Sequence, residues 1–122
     1  MAANDYHVIV YQLLSYLYEC LKEGQFPNIE ALDKFRADKN INERYWDYIL
    51  IHLLEDGLVE GASLVPIPGR DWPGIKYTRC FAITPDGIGY LVENSLMQKM
   101  KKMAEQGLIS TIPSFIAKFI GM

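Results

Sequence analysis

The two histidines of this sequence of 122 residues are its first candidates for catalysis or for binding a metal ion, and they lie far apart. His7 and His52 are its two histidines, and Glu55 follows His52 at helical spacing. Such a pair can supply two metal ligands, but a protein zinc site uses three or four. We therefore expect both histidines to be structural, and we predict no catalytic centre, metal, cofactor or small-molecule substrate.

The two cysteines and one glycine pair lead to the same conclusion. Cys20 and Cys80 each lie in an apolar periodic segment. This placement is typical of buried reduced thiols, with a disulfide or a metal pair as the alternative. Gly87 and Gly89 fall inside a predicted helix, without the preceding loop that a phosphate-binding Gly-x-Gly requires. We expect them to allow close helix packing, and we predict that the chain is not an enzyme.

The composition predicts one folded domain over residues 1–122. Half of the residues are hydrophobic, which is enough to build a single core. We expect that core over residues 1–95, followed by a C-terminal helical extension over residues 96–122. No apolar run is long enough to cross a bilayer, and the first residues lack the pattern of a signal peptide. A cytoplasmic protein without a membrane partner is expected.

Side chains that suit nucleic-acid contact cluster in the stretch 66–76. Arg70, Trp72 and Lys76 stand there among prolines and glycines, which exclude a regular strand throughout. A basic and aromatic loop suits contact with a phosphate backbone or a minor groove. For Trp72 we favour packing back onto the sheet, whereas we expect Arg70 and Lys76 to be exposed.

The element that must position this loop is the predicted helix after Asn42. Asn42 can cap its first turn, and Gly57 can end it because glycine tolerates positive φ. The apolar residues recur at helical spacing on one face: Trp46, Ile49, Leu50 and Leu53.

The flanking segments complete a recognisable order. A short helix over residues 29–37, capped by Asn28, precedes a tight turn, and strands are predicted over residues 58–65 and 77–83. Helix, turn, helix and hairpin is the order of a winged helix-turn-helix. We therefore predict a mostly helical α+β fold of this kind, with a β-hairpin wing at about 58–83 and additional C-terminal helices.

In a DNA-binding protein of this fold, the outward face of the third helix meets base edges. The candidate contacts to double-stranded DNA are three helix residues and two wing residues: Asn42, Arg44, Tyr48, Arg70 and Lys76.

The charge distribution leaves a second function open. Residues 29–56 hold four basic and seven acidic side chains, whereas residues 61–83 hold three basic and one acidic. Residues 96–118 hold four lysines and one glutamate. Because carboxylates approach phosphate with the wrong sign, the acid-rich third helix also fits a winged helix that binds another protein and no DNA.

Three further helices are predicted around this unit. Thr84, Pro85 and Asp86 form a strong helix start, and one helix is expected from Pro85 to about Gln106. The residues expected to face the core are Ile88, Leu91, Val92 and Ser95, continued by Leu96, Met100 and Met103.

The first predicted helix, over residues 5–23, has two apolar stripes and a narrow polar face that includes Gln12. Its second stripe comprises His7, Tyr11, Leu14 and Tyr18. A last helix, starting near Pro113, would present one apolar face: Ile112, Phe115, Ile116, Phe119 and Ile120. Leaving both surfaces in water is unfavourable, so we expect them to meet within one chain or across the two-fold axis of a homodimer.

Three segments, residues 45–46, 54–59 and 83–95, resemble the YjcQ-like family of small proteins from Firmicutes and their phages. The resemblance spans nearly the whole chain and implies a winged-helix fold in a cytoplasmic protein of phage type. A transcriptional regulator of a phage or mobile element is the expected role. The family supplies no catalytic or binding residues to carry over.

Overall fold

The computed structural model describes residues 5–112, in which five helices and one antiparallel hairpin follow one another. The helices are α1 (Tyr6–Lys22), α2 (Ile29–Asp38), α3 (Glu43–Glu55), α4 (Pro85–Glu93) and α5 (Ser95–Glu105), and the strands are β1 (Val59–Val65) and β2 (Gly74–Ile83). The predicted mostly helical α+β winged helix is confirmed. The helix predicted from Pro113 lies outside the described residues. Within residues 5–112 no helix combines the length and hydrophobicity that crossing a bilayer requires.

Two asparagine caps build the helix-turn-helix. The Asn28 side chain accepts a hydrogen bond from the Ala31 amide at 3.0 Å, and the Asn42 side chain accepts one from the Tyr45 amide at 2.9 Å. Each bond satisfies an amide that the first helical turn leaves unpaired. Between the helices Asn40 adopts φ +59°, a conformation that asparagine tolerates well. Both predicted helix starts are thus confirmed.

The core lies between α1, α3 and the hairpin. The predicted apolar face of α3 is confirmed, because its four members Trp46, Ile49, Leu50 and Leu53 are all buried. Gly57 ends α3 at φ +72°, as expected for a helix that turns directly into a strand. From the hairpin, Val59, Phe81 and Ile83 close the core.

The hairpin is longer than the sequence pattern suggested. Its ladder runs from the Val59–Ile83 pair to the Val65–Gly74 pair, so β2 begins at Gly74, three residues before the predicted start. The ladder is irregular near Gly61, where φ is +84° and a Cβ would overlap the Cys80 backbone. Cys80 is exposed at this irregularity.

The expectation of two buried thiols is therefore half right. Cys20 is buried, and its burial raises the pKa of the thiol. Cys80 contradicts the expectation, because the bulge turns this part of β2 toward solvent.

The single helix predicted from Pro85 to Gln106 is wrong, since the chain breaks at Asn94. Asn94 has extended backbone, and its side chain accepts hydrogen bonds from the Leu96 and Met97 amides at 2.9 and 3.2 Å. An asparagine can offer the backbone this alternative to continued helix. The break changes which residues point inward. Met100 is buried as predicted and Met97 is buried without having been predicted, whereas Val92, Ser95 and Leu96 are exposed, contrary to the prediction.

The second apolar stripe of α1 is covered within the chain. Tyr11 and Leu14 are buried, and α1 packs against both α4 and α5. Gln12, predicted on the polar face, is 3% exposed, because its Nε2 donates to the Ser110 carbonyl at 2.9 Å where the chain crosses α1. Of the predicted last helical face only Ile112 lies within the described residues, and it is buried.

The two glycines of the Gly-x-Gly sequence differ in their surroundings. A Cβ at Gly87 would overlap the Leu58 carbonyl oxygen, so α4 approaches the start of the hairpin as closely as backbone allows. A Cβ at Gly89 would meet nothing within 4 Å. Close packing is confirmed for Gly87 and wrong for Gly89.

Candidate nucleic-acid interface

Helix α3 presents a buried face, an outward face and a flank that faces the wing. The outward face carries Arg44, Tyr48, Ile51 and Glu55. Of these, Ile51 is half-buried and the other three are exposed. The Tyr48 ring lies 4.4 Å from the His52 ring, centroid to centroid. The predicted outward face is therefore accessible, and its first two turns mix a cation with an aromatic ring.

The flank of α3 holds the tip of the wing through one carboxylate. Asp47 Oδ2 accepts hydrogen bonds from Arg70 Nη2 at 2.6 Å and from Trp72 Nε1 at 3.1 Å. The Arg70 guanidinium also lies 4.3 Å from the centroid of the Trp72 ring. We call Asp47, Arg70 and Trp72 the wing clasp.

The wing clasp corrects one expectation and bears out another in part. Arg70 was expected to be exposed, but only 22% of its side chain is accessible, because it pairs with Asp47 and lies 3.8 Å from a Glu43 carboxylate oxygen. Trp72 is half-buried, as packing back requires, but its Nε1 bonds to Asp47 of α3, whereas packing onto the sheet was expected. A cation that sequence analysis assigned to DNA is thus held by α3.

A tight turn places Arg70 on the flank. Gly69 adopts φ +80°, and the Arg70 amide donates to the Ile67 carbonyl at 3.1 Å. Glycine adopts this φ without steric cost. The Asp47 side chain is 14% exposed, and a charge-assisted bond is stronger where water is partly excluded.

Beside the wing clasp, α2, α3 and β2 line an open pocket of about 420 Å³. Asp33 and Arg36 line it, and Arg36 Nη1 donates to the Ile41 carbonyl at 2.9 Å. Partial burial raises the pKa of Asp33; Arg36 opposes this shift, and the charges of Glu43 and Asp47 add to it. This side of α3 is therefore acidic and a poor surface for phosphate.

The remaining candidate residues are accessible. Asn42 is exposed, although its Oδ1 is engaged in capping α3. Arg44 lies two residues after Asn42, in the first turn of α3, and is exposed. Lys76 is exposed on β2, opposite Ser63 of β1. The fold thus presents Asn42, Arg44 and Tyr48 on one helix and Lys76 on the hairpin behind it.

The histidines do not build a metal centre with other residues of the described part. His52 Nδ1 lies 3.8 Å from a Glu55 carboxylate oxygen, and both side chains are largely exposed. Across residues 5–112 no three histidine, cysteine or acidic side chains converge on a position for an ion.

Sequence reasoning missed the role of Asp47, which it treated only as a charge of the wrong sign. The signal was the local sequence Arg70-Asp71-Trp72, which offers two donors to an acceptor on the neighbouring helix. Choosing Asp47 as that acceptor required the position of the wing, because 23 residues separate it from Arg70.

A helix-turn-helix followed directly by a β-hairpin defines a winged-helix protein. A family model described as "YjcQ protein" matches residues 11–106, from α1 through the end of α5. The chain therefore belongs to the YjcQ family, as its sequence resemblance indicated. No curated protein and no solved structure gives a significant match to the chain.

Proposed function

We propose that this protein binds double-stranded DNA in the cytoplasm, as a transcriptional regulator of phage or mobile-element type. The first two turns of α3 would enter the major groove, and the hairpin would contact the adjacent backbone. The observation that supports this proposal is that Asn42, Arg44 and Tyr48 are all accessible over the first two turns of the second helix of a helix-turn-helix. This is the part of the motif that reads base edges in winged helices and their relatives.

The charges of α3 define how DNA would approach. Asp47 is neutralised by Arg70, whereas Glu55 stands at the C-terminal end of α3, away from the groove-facing turns. Binding would therefore depend on few cations, chiefly Arg44 and Lys76. Affinity that rests on few phosphate contacts is modest and falls with added salt.

A second candidate function is a protein contact through the same outward face. Tyr48 is 52% exposed beside Ile51, with one residue of each charge sign, Arg44 and Glu55, around them. Exposed tyrosine with arginine is typical of the energetically important part of protein interfaces. This candidate requires no positive surface.

A salt series with a random-sequence duplex tests the proposal. Fluorescence anisotropy should show binding at ~50 mM salt that weakens steeply toward ~200 mM. Arg44→Ala and Lys76→Ala should each weaken binding and reduce the slope of log affinity against log salt by about one. Lys99→Ala, an exposed lysine of α5, is the matched control and should leave the slope unchanged. Absence of binding at ~50 mM salt would contradict DNA binding and favour the protein contact.

A further inference from the structure

We infer that Asp47 is a latch: it holds Arg70 in a closed wing, and DNA phosphate competes with it for the same guanidinium. The inference rests on the proposed function for its phosphate part only. Its mechanical part, that one carboxylate closes the wing, stands on the geometry of the wing clasp.

The wing tip is held against α3 by hydrogen bonds to one oxygen atom. Arg70 Nη2 and Trp72 Nε1 both donate to Asp47 Oδ2. A change at this single atom therefore weakens both hydrogen bonds of the wing tip to α3 at once, whereas the longer Arg70–Glu43 contact at 3.8 Å involves a carboxylate that is 65% exposed.

The closed position leaves Arg70 incompletely bonded. Its Nε is buried, and no hydrogen-bond partner for it exists among residues 5–112. The Nε and Nη donors of arginine form a planar fork that binds carboxylate or phosphate through two parallel bonds. Asp47 uses the Nη2 donor and leaves Nε without an acceptor. A phosphate could engage both donors once Arg70 is released from Asp47.

The tip of the wing, residues 66–73, can move without disrupting the pairing of the two strands. The ladder ends at the Val65–Gly74 pair, so residues 66–73 can reorient while β1 and β2 stay paired. The Arg70–Asp47 pair keeps some contact with water, since 22% and 14% of the two side chains are accessible, so it can be approached from solvent. Opening of the wing tip would free the Arg70 guanidinium to contact the DNA phosphate backbone together with Lys76.

The test compares two substitutions that each remove one negative charge from α3. Asp47→Asn removes the charge that holds Arg70, whereas Glu55→Gln removes a charge whose described contact is the His52 side chain. We expect Asp47→Asn to tighten binding to the random duplex about tenfold and to steepen the salt slope by about one phosphate contact. Glu55→Gln should tighten binding less and leave the slope unchanged. The gain should disappear in the double variant with Arg70→Ala.

Equal effects of Asp47→Asn and Glu55→Gln, or a gain that survives Arg70→Ala, would overturn the competition. Either result would mean that the net charge of α3, and not release of Arg70, sets the affinity for the DNA duplex.

A second measurement needs no DNA. Acrylamide quenching of tryptophan fluorescence reports mainly on Trp72, because Trp46 is buried. Asp47→Asn should increase the quenching, and Glu55→Gln should not. Unchanged quenching would overturn the latch. Increased quenching without DNA binding by any variant would support the latch as a mechanical device and overturn the proposed function, so the two failures are distinguishable.

Discussion

Trp46 and Asp47 are neighbours in α3, yet they belong to regions that different interactions stabilise. Trp46 lies in the core and is 3% exposed, where many weak dispersion contacts and removal of apolar surface from water act together. Asp47 holds the wing through two directional bonds at one oxygen atom. The core should therefore resist small changes but fail when volume is lost. The wing clasp should respond to a change of one atom while the fold persists.

The largest change in the free energy of unfolding is expected for a substitution in the core. Trp46→Ala should destabilise the protein by about 3–5 kcal/mol, since it removes a large buried side chain and leaves a cavity. Asp47→Asn, one residue away, should cost less, about 1–2 kcal/mol, because asparagine keeps an oxygen that can accept the two bonds and loses only the charge. Urea denaturation of both variants measures the difference. Similar midpoints for the two would show that α3 is oriented differently.

A smaller effect is expected where α4 approaches the hairpin. Gly87→Ala should cost about 1–3 kcal/mol, because the new methyl group would overlap the Leu58 carbonyl and backbone cannot yield cheaply. Gly89→Ala is the matched control: its site is open, so alanine should be neutral or stabilise the helix by up to about 1 kcal/mol. Thermal melts of the pair decide the point, and a Gly87→Ala variant as stable as Gly89→Ala would disprove the close approach.

The smallest change in stability is expected at a polar group inside the core, the hydroxyl of Tyr16. The Tyr16 hydroxyl accepts a hydrogen bond from the Asn28 amide at 2.8 Å, and burial raises the pKa of Tyr16 to about 12. The unfolded phenol ionises near pH 10. Its contribution to stability is therefore full below about pH 10 and is lost as the pH rises from 10 toward 12.

Tyr16→Phe should cost about 1 kcal/mol at neutral pH, because the Asn28 amide loses its acceptor. It should also reduce the loss of stability between about pH 9 and 11. Unfolding curves at the two pH values test this. An equally steep loss in the variant would assign the alkaline sensitivity to another group, such as Tyr77, whose pKa is also raised by burial.

Prediction from the sequence succeeded where neighbouring residues determine the outcome. The caps at Asn28 and Asn42 depend on bonds to amides three residues away, and the buried face of α3 follows from helical spacing. It failed at Asn94, because the helical pattern continues through this residue and a cap and a helix interior look alike there. The exposed candidate residues were placed correctly except Arg70, whose partner lies on another element.

The sequence by itself determined the order of the elements from α1 to β2, the ends of α2 and α3, and the residues that α3 buries. All of these depend on interactions within a turn or two of helix. Only the tertiary structure decided that Gln12 is covered by Ser110, 98 residues away, and that Arg70 is held by Asp47 across 23 residues. The physical reason is that a polar side chain can pair with many groups of suitable charge. Which pair forms is set by the packing that brings the elements together. The local sequence does not specify which distant groups will meet.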